Sequence, residues 1–255
     1  MSLRFASLGS GSRGNATLVR SDNALLLVDN GFTIRETERR LQLLGYNVDQ
    51  LSAILVTHEH SDHIKGVGPL ARKYQLPVYT SHGTADHDGL GTLPELVYIN
   101  PHRPFCIEDI TINPVAVPHD AREPCQFVFS CDHCQVGLLT DLGSITPYVV
   151  EQYQQCDALM LECNHDPRML SMGPYPPTLK LRVGGHWGHL SNQQAANFLQ
   201  QLDTTRLQHL VISHISEKNN TEQLARDAIQ EVFGEGPLHL ATQQEGLDWL
   251  EVVTV

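Results

Sequence analysis

The sequence lacks any long apolar run. No stretch of its 255 residues approaches the roughly 20 apolar residues that a helix needs to cross a bilayer, which argues against a helical membrane span. It also lacks low-complexity tracts, linkers and short-period repeats, so solenoids and strings of small modules are excluded. The opening residues, Met1-Ser2-Leu3-Arg4-Phe5, carry neither the apolar core nor the small-residue cleavage site of a secretory signal, and the expected location is the cytoplasm. The six cysteines are therefore expected to be reduced. Cys131 and Cys134 have no second pair nearby to complete four-coordinate zinc, and they read as an incidental hairpin turn. Basic residues are scarce: 17 Lys and Arg face 29 Asp and Glu, a net charge of −12 at pH 7. That balance argues against sequence-blind binding of long nucleic acids through overall charge.

Acidic residues have gaps of their own. None precedes Asp22, while Arg4, Arg13 and Arg20 do. None lies between Asp166 and Asp203, a stretch that holds Arg168, Lys180 and Arg182 with Tyr175 and Trp187. These are either ordinary loops of an acidic protein or two locally positive lips around an anionic substrate. With 41% hydrophobic and 18% charged residues the composition is that of a globular protein. The length suits one large core, hence a single α/β domain over residues 1–255.

Strand-like runs alternate with helical patterns. Residues 24–28, 53–57, 77–80, 158–162 and 209–214 read as buried strands, and the segment from about 96 to 141 reads as mainly short strands. Helices are expected after Gly31 with Gly45 as the stop, over 193–202 behind a Ser191 or Asn192 cap, and over 222–233 ending at Gly234. Strand-rich order with helices in both halves suggests two sheets with helices outside.

The strand at 53–57 runs into Thr57-His58-Glu59-His60-Ser61-Asp62-His63, three imidazoles and a carboxylate within six residues. A solvated polar loop is the alternative, but four metal-ligating groups at a strand end fit a metal site better. Three other expected strands end in ligand types, at His119, Asp141 and His214. A lone histidine at a strand end is usually structural; their recurrence beside the 58–63 cluster gives them weight.

This order resembles the metallo-β-lactamase superfamily, whose members share a His-x-His-x-Asp-His signature followed by a His, an Asp and a final His at strand ends. The resemblance implies a four-layer αββα sandwich of two mixed sheets. It implies His58, His60 and His119 as ligands of a first metal, Asp62, His63 and His214 of a second, and Asp141 as the bridging carboxylate. Zinc β-lactamases lack that bridging Asp. Gly188-His189-Leu190-Ser191 resembles the Gly-His-Ser/Thr motif of the phosphodiesterase members, with Glu162 as the acid that orients the histidine. The style of residues 7–15, 161–166, 173–182 and 213–220 is closer still to the YycJ-like (WalJ-type) exonuclease branch.

The resemblance implies a DNA exonuclease in which two divalent ions activate a bridging water for attack on phosphorus, Asp62 orients the nucleophile, and His189 protonates the leaving ribose oxygen. Zinc suits the donors best, and manganese and iron suit them as well. The rival enzyme is a hydrolase of small esters, thioesters or cyclic phosphodiesters on the same ions, which overall acidity favours. A third reading is a metal-stabilised scaffold without catalysis. Candidate substrate contacts are Lys180 and Arg182 in the acid-free stretch, with Arg13 and Asn15 in the glycine-rich 9–14 region. That region is not a Walker loop, because no Gly-Lys-Ser/Thr follows, and reads first as a tight turn. His165 is equally readable as site-lining or structural.

Overall fold

The computed structural model describes residues 2–254. Its strands are β1 (Leu3–Gly9), β2 (Ala16–Arg20), β3 (Leu25–Val28), β4 (Ala53–Leu55), β5 (Pro77–Ser81), β6 (Glu95–Ile99), β7 (Phe105–Ile107), β8 (Ile110–Ala116), β9 (Cys125–Cys131), β10 (Cys134–Leu139), β11 (Ala158–Glu162), β12 (His209–Ser213), β13 (Leu238–Leu240) and β14 (Leu247–Val252). The helices are α1 (Ile34–Leu43), α2 (Ser61–Ile64), α3 (Val67–Tyr74), α4 (His82–Ala85), α5 (Pro147–Tyr153), α6 (Pro167–Met172), α7 (Pro177–Val183), α8 (Asn192–Leu199) and α9 (Glu222–Phe233). Among the described residues the strands form two seven-stranded sheets, ordered β14-β1-β2-β3-β4-β5-β6 and β13-β12-β11-β10-β9-β8-β7. Both are mixed: β3 through β6 run parallel, as do β10 through β13, and the other pairs are antiparallel.

Strand alternation explains the layers. In β11 every residue is buried, yet Ala158 and Met160 face one core while Leu159 and Leu161 face another. The first core lies between the sheets and joins Leu26, Val28 and Leu55 to Phe127, Phe129 and Val211. Outside the second sheet, Leu159 and Ile212 pack with Tyr153 of α5, Phe198 of α8 and Ile229 of α9. Outside the first, Leu27 and Ile54 pack with Leu41 of α1 and Leu70 of α3. A strand buried on both faces must be apolar throughout, and the result is the expected αββα sandwich. No helix among the described residues is long and apolar enough to cross a membrane.

Three local departures have physical reasons. The strand expected to reach Thr57 ends at Leu55, because the Thr57 N–H bonds the Asp29 carboxylate at 2.9 Å instead of a neighbouring strand. The helix expected over 193–202 spans Asn192–Leu199, fixed by a reciprocal capping box between Ser191 and Gln194. Residues 167–183 carry two helices that periodicity does not announce. Each starts at a proline, and α7 buries no side chain at all.

Gly31 ties this frame to the histidine motif. Its N–H bonds Asn15 O at 3.0 Å, and the Asn15 N–H bonds Asp62 O at 2.8 Å. A Cβ on Gly31 would overlap the Asp62 carbonyl oxygen and lie 2.6 Å from Gly14 Cα, backbone that cannot rotate aside. Gly31→Ala is expected to cost about 1–3 kcal/mol or more by overpacking, read as a lower denaturant midpoint; an unchanged midpoint would show that the 14–15 and 62 backbone yields freely.

Candidate metal centre

The site forms where parallel strands end, the usual place for a crevice in an open α/β sheet. β3 delivers Asp29, β4 the 57–63 motif, β10 Asp141, β11 Glu162 and β12 His214, while the loop after β8 supplies His119 and Asp120. Asp29, Asp141 and His214 all adopt left-handed backbone conformations, with φ of 59°, 52° and 50°. Such strain costs roughly 1–3 kcal/mol per residue and persists only where the surroundings enforce it.

All seven expected ligands converge. His58, His60 and His119 bring ring nitrogens within 4.8 Å of one another, and His58, His63 and Asp141 do the same with an Asp141 oxygen. Asp141, Glu162, His189 and His214 form a third such group. Asp141 Oδ2 lies 2.9 Å from His214 Nδ1 and 3.2 Å from His63 Nε2. Asp62 Oδ2 stands 3.6 Å from His63 Nε2 and 3.9 Å from His214 Nε2.

Hydrogen-bond partners set the tautomers. His58 Nδ1 meets Thr57 Oγ1 at 2.9 Å, and the Thr57 hydroxyl donates to Asp29 Oδ2 at 2.8 Å. His63 Nδ1 donates to the same Asp29 oxygen at 2.8 Å. His119 Nδ1 donates to Gly188 O at 2.9 Å, and His60 Nε2 to Asp120 O at 3.2 Å. These bonds assign the ring protons to the outer nitrogens. As neutral rings, His60 Nδ1 and His119 Nε2 then face each other as lone pairs 3.2 Å apart, and His58 Nε2 is buried without a partner. Facing acceptors and an orphaned nitrogen are costly unless a cation lies between them. The donor set, imidazoles and carboxylates without thiolate, fits a divalent metal.

The charges agree. Burial, and then the neighbouring His63, hold His58 well below the usual histidine range, and burial lowers His119. Both are thereby kept neutral and ready to ligate. Burial works against charging His63 and His214, but the surrounding carboxylates together outweigh it and raise both, Asp141 with Asp29 and Asp62 for His63 and Asp141 with Glu162 for His214. Burial opposes ionising Asp141, yet His214 and His63 hold its carboxyl well below the usual range.

Beside the cluster, His189 Nδ1 bonds Glu162 Oε1 at 2.7 Å. Glu162 is fully buried, and its Oε2 accepts N–H bonds from Leu190 at 3.0 Å and Leu142 at 3.3 Å. Burial disfavours the imidazolium, but the Glu162 carboxylate, helped by Asp141 and Asp120, overrides it and raises His189 to about 9. In metal-free protein, NMR titration of His189 is therefore expected near pH 9, and Glu162→Gln should bring it down. The linked stability is fully present below the unfolded value of about 6.5 and is lost as pH rises through about 9. An ordinary titration in the wild-type protein would refute the pairing.

The expected substrate contacts separate. Arg182 lines the cleft, which encloses about 320 Å³ and is walled also by His60, Asp62, Tyr175, Leu179 and His189. Its guanidinium pairs with Asp120. Asn15 does not face the cleft: it is buried, accepts the Gly11 N–H at 2.8 Å, and reaches Asp62 at 3.2 Å and His63 at 3.1 Å. Its place is behind the ligands. Arg13 pairs with Glu217 at 2.7 Å, and its neighbour Ser12 lines the cleft instead. Lys180 Nζ bonds Ser171 O at 2.7 Å and lies outside the cleft lining. His165 is buried, its Nδ1 without a partner, and burial lowers it to about 4. Sequence reasoning missed Asp29, Thr57 and Asp120. Asp29 carried a signal, an acid before Asn-Gly at a strand end, but its target emerges only when β3 and β4 pair.

A family model described as a beta-lactamase superfamily domain matches residues 25–215. The exodeoxyribonuclease YycJ of Bacillus anthracis is 37% identical over 241 residues, covering 92% of this chain and 90% of its own. The exodeoxyribonuclease WalJ of Streptococcus pneumoniae is 33% identical over 230 residues, covering 87% and 85%. Among solved structures, the metallo-beta-lactamase fold protein YhfI of Bacillus subtilis superposes with a TM-score of 0.75 at 19% identity, over 99% of this chain and all of that one. The chain belongs to the beta-lactamase superfamily, as a YycJ-like protein of metallo-β-lactamase fold, and is a metal-dependent hydrolase.

Proposed function

We propose that this chain, acting as one domain, is a phosphodiesterase that uses two divalent ions and serves as a DNA exonuclease. The observation that carries the reading is the Glu162–His189 pair set against the cluster, with His189 ring centroids 5.2 Å from His119 and 5.3 Å from His214. A hydrolase of activated esters needs no such acid, whereas a ribose alkoxide does. The relatives named exodeoxyribonucleases support the nucleic-acid substrate. Six unpaired thiols support a cytoplasmic setting.

His58, His60 and His119 would hold one ion, Asp62, His63 and His214 the other, with Asp141 between. When bound, the ions supply Lewis acidity, neutralising phosphoryl oxygens and lowering the pKa of water toward 7. Zinc suits the donors best, with manganese and iron as the other candidates. Asp62, held by the Asn15 amide, orients the attacking water. Arg182 exchanges Asp120 for a non-bridging oxygen. His189, its Nδ1 tied to Glu162, presents Nε2 to the leaving oxygen and gives up its proton there. A second reading, a small ester, thioester or cyclic phosphodiester as substrate, draws on the −12 charge and the modest cleft.

Elemental analysis of purified protein supplemented with metal should find about two ions per chain, the count of a two-metal site, and Asp141→Ala should lose occupancy and turnover together. A ceiling of one ion would sink the binuclear assignment. For the acid, His189→Ala should cut kcat on DNA by about 10²–10⁴-fold while hydrolysis of an aryl phosphodiester, whose phenolate leaves without a proton, survives. Equal loss on both substrates, with metal retained, would make His189 a phosphoryl-binding group. High turnover of a thioester or cyclic phosphodiester with none on DNA would favour the second reading.

A further inference from the structure

Outside the cluster, the segment from α6 to Gly188 is the least explained part of the molecule. Met172, Leu181 and Trp187 are 76%, 77% and 63% exposed, three of the four most exposed large hydrophobic residues among those described. α7 contributes nothing to a core, so burial does not account for its sequence. Yet the arm is firmly held: His189 N–H bonds Val183 O at 2.8 Å, Gly188 packs against the Arg182 and Val183 carbonyls, and Lys180 Nζ ties back to Ser171 O. Tyr175, Leu179, Arg182 and Val183 form one wall of the cleft, and Trp187 lies two residues from His189. The arm falls within the stretch free of Asp and Glu in a chain that otherwise carries 29 of them. Neither Arg168 nor Lys180 has a carboxylate partner among the described residues.

We propose that this arm is the platform for the unpaired end of a nucleic acid strand, with Tyr175 in the cleft and the exposed Trp187, next in sequence to Gly188 of the cleft lining, stacking successive bases, while Arg182 takes a phosphate in the cleft and Lys180, outside it, takes one further along the strand. The inference rests on the nucleic-acid reading above and names the form of substrate. An unpaired base exposes its faces to an aromatic ring, and a rigid aromatic on a fixed arm loses little entropy on stacking. The charge argues the same way. A single-stranded end lies along the acid-free arm and meets Asp62, Asp120 and Asp141 only where it enters the cleft, whereas the body of a duplex would cross the rest of an acidic surface. Each stacked base is expected to contribute about 5- to 150-fold in affinity.

The test uses the whole chain stripped of metal, so that nothing is cleaved, titrated with an oligothymidylate and with an abasic oligomer of equal phosphate count. Oligothymidylate should quench tryptophan fluorescence, and the quench should vanish in Trp187→Phe. The abasic oligomer should bind about 5- to 150-fold more weakly without quenching. Trp249, the second of two tryptophans, is anchored by Leu44 O at 3.2 Å and packs on Tyr46, so it should not respond. In metal-loaded protein, Trp187→Ala should lower kcat/KM on single-stranded DNA relative to an aryl phosphodiester by the same factor. Equal affinity for both oligomers, or an unchanged ratio in Trp187→Ala, would overturn the platform while leaving the phosphodiesterase reading intact. Failure of every oligomer to bind or turn over would overturn both. Concentration-dependent dimerisation abolished by Trp187→Ala, with oligonucleotide binding unaffected, would assign the patch to a second copy of the chain and overturn it as well.

Discussion

The architecture depends on one electrostatic problem: imidazoles, two buried and one half-buried, pointing lone pairs at one another. His60 Nδ1 faces His119 Nε2 at 3.2 Å, and His58 Nε2 points into the same space with no partner. A single water could not satisfy these three acceptors at once, since it has two protons to give. Cations resolve the problem. The surrounding fold serves to aim these nitrogens inward by occupying the opposite side of each ring with a hydrogen-bond acceptor. Asp29 alone holds His63, the Thr57 hydroxyl and the Thr57 N–H, and through Thr57 it fixes His58.

Other bonds fasten the two sheets together at their seam. The Gly188 carbonyl that holds His119 belongs to the same half as β8, but the Cys125 N–H reaches Thr57 O across the sandwich. His214 N–H takes Ser10 Oγ from the turn after β1. The strained backbones of Asp141 and His214 are met by contacts from both halves, Asp141 by His63 and His214 and His214 by Asp141 and Ser10, while that of Asp29 is held within its own half by Thr57 and His63. A ligand shell built this way is preorganised, and much of its strain is met in folding rather than on binding metal.

Much of the candidate centre was legible in the sequence because residues of ligand type leave a compact mark. The 58–63 motif is contiguous, and His119, Asp141 and His214 sit at ends of runs whose apolarity marks them as strands. The sandwich followed from alternation of such runs with helices at 34–43, 192–199 and 222–233. Residues that act through a neighbour were not legible. Asp29 meets Thr57 only because β3 and β4 pair with Val28 opposite Leu55, a register no local pattern encodes. Charge bias identified the acid-free arm but not the direction of its side chains. Arg182 turns into the cleft, Lys180 caps its own segment, and Asn15, chosen for a phosphate, lies behind Asp62 and His63. The helices α6 and α7 escaped because a helix with little or nothing buried shows no amphipathic period.

The measurement that bears most directly on the central claim is histidine ¹⁵N NMR during titration of zinc into metal-free protein. The account predicts coordination shifts at Nε2 of His58, His63 and His119 and at Nδ1 of His60, the nitrogens turned away from Thr57, Asp29, Gly188 and Asp120. Coordination through His60 Nε2, or an unshifted His58, would contradict the tautomers on which the whole centre is built.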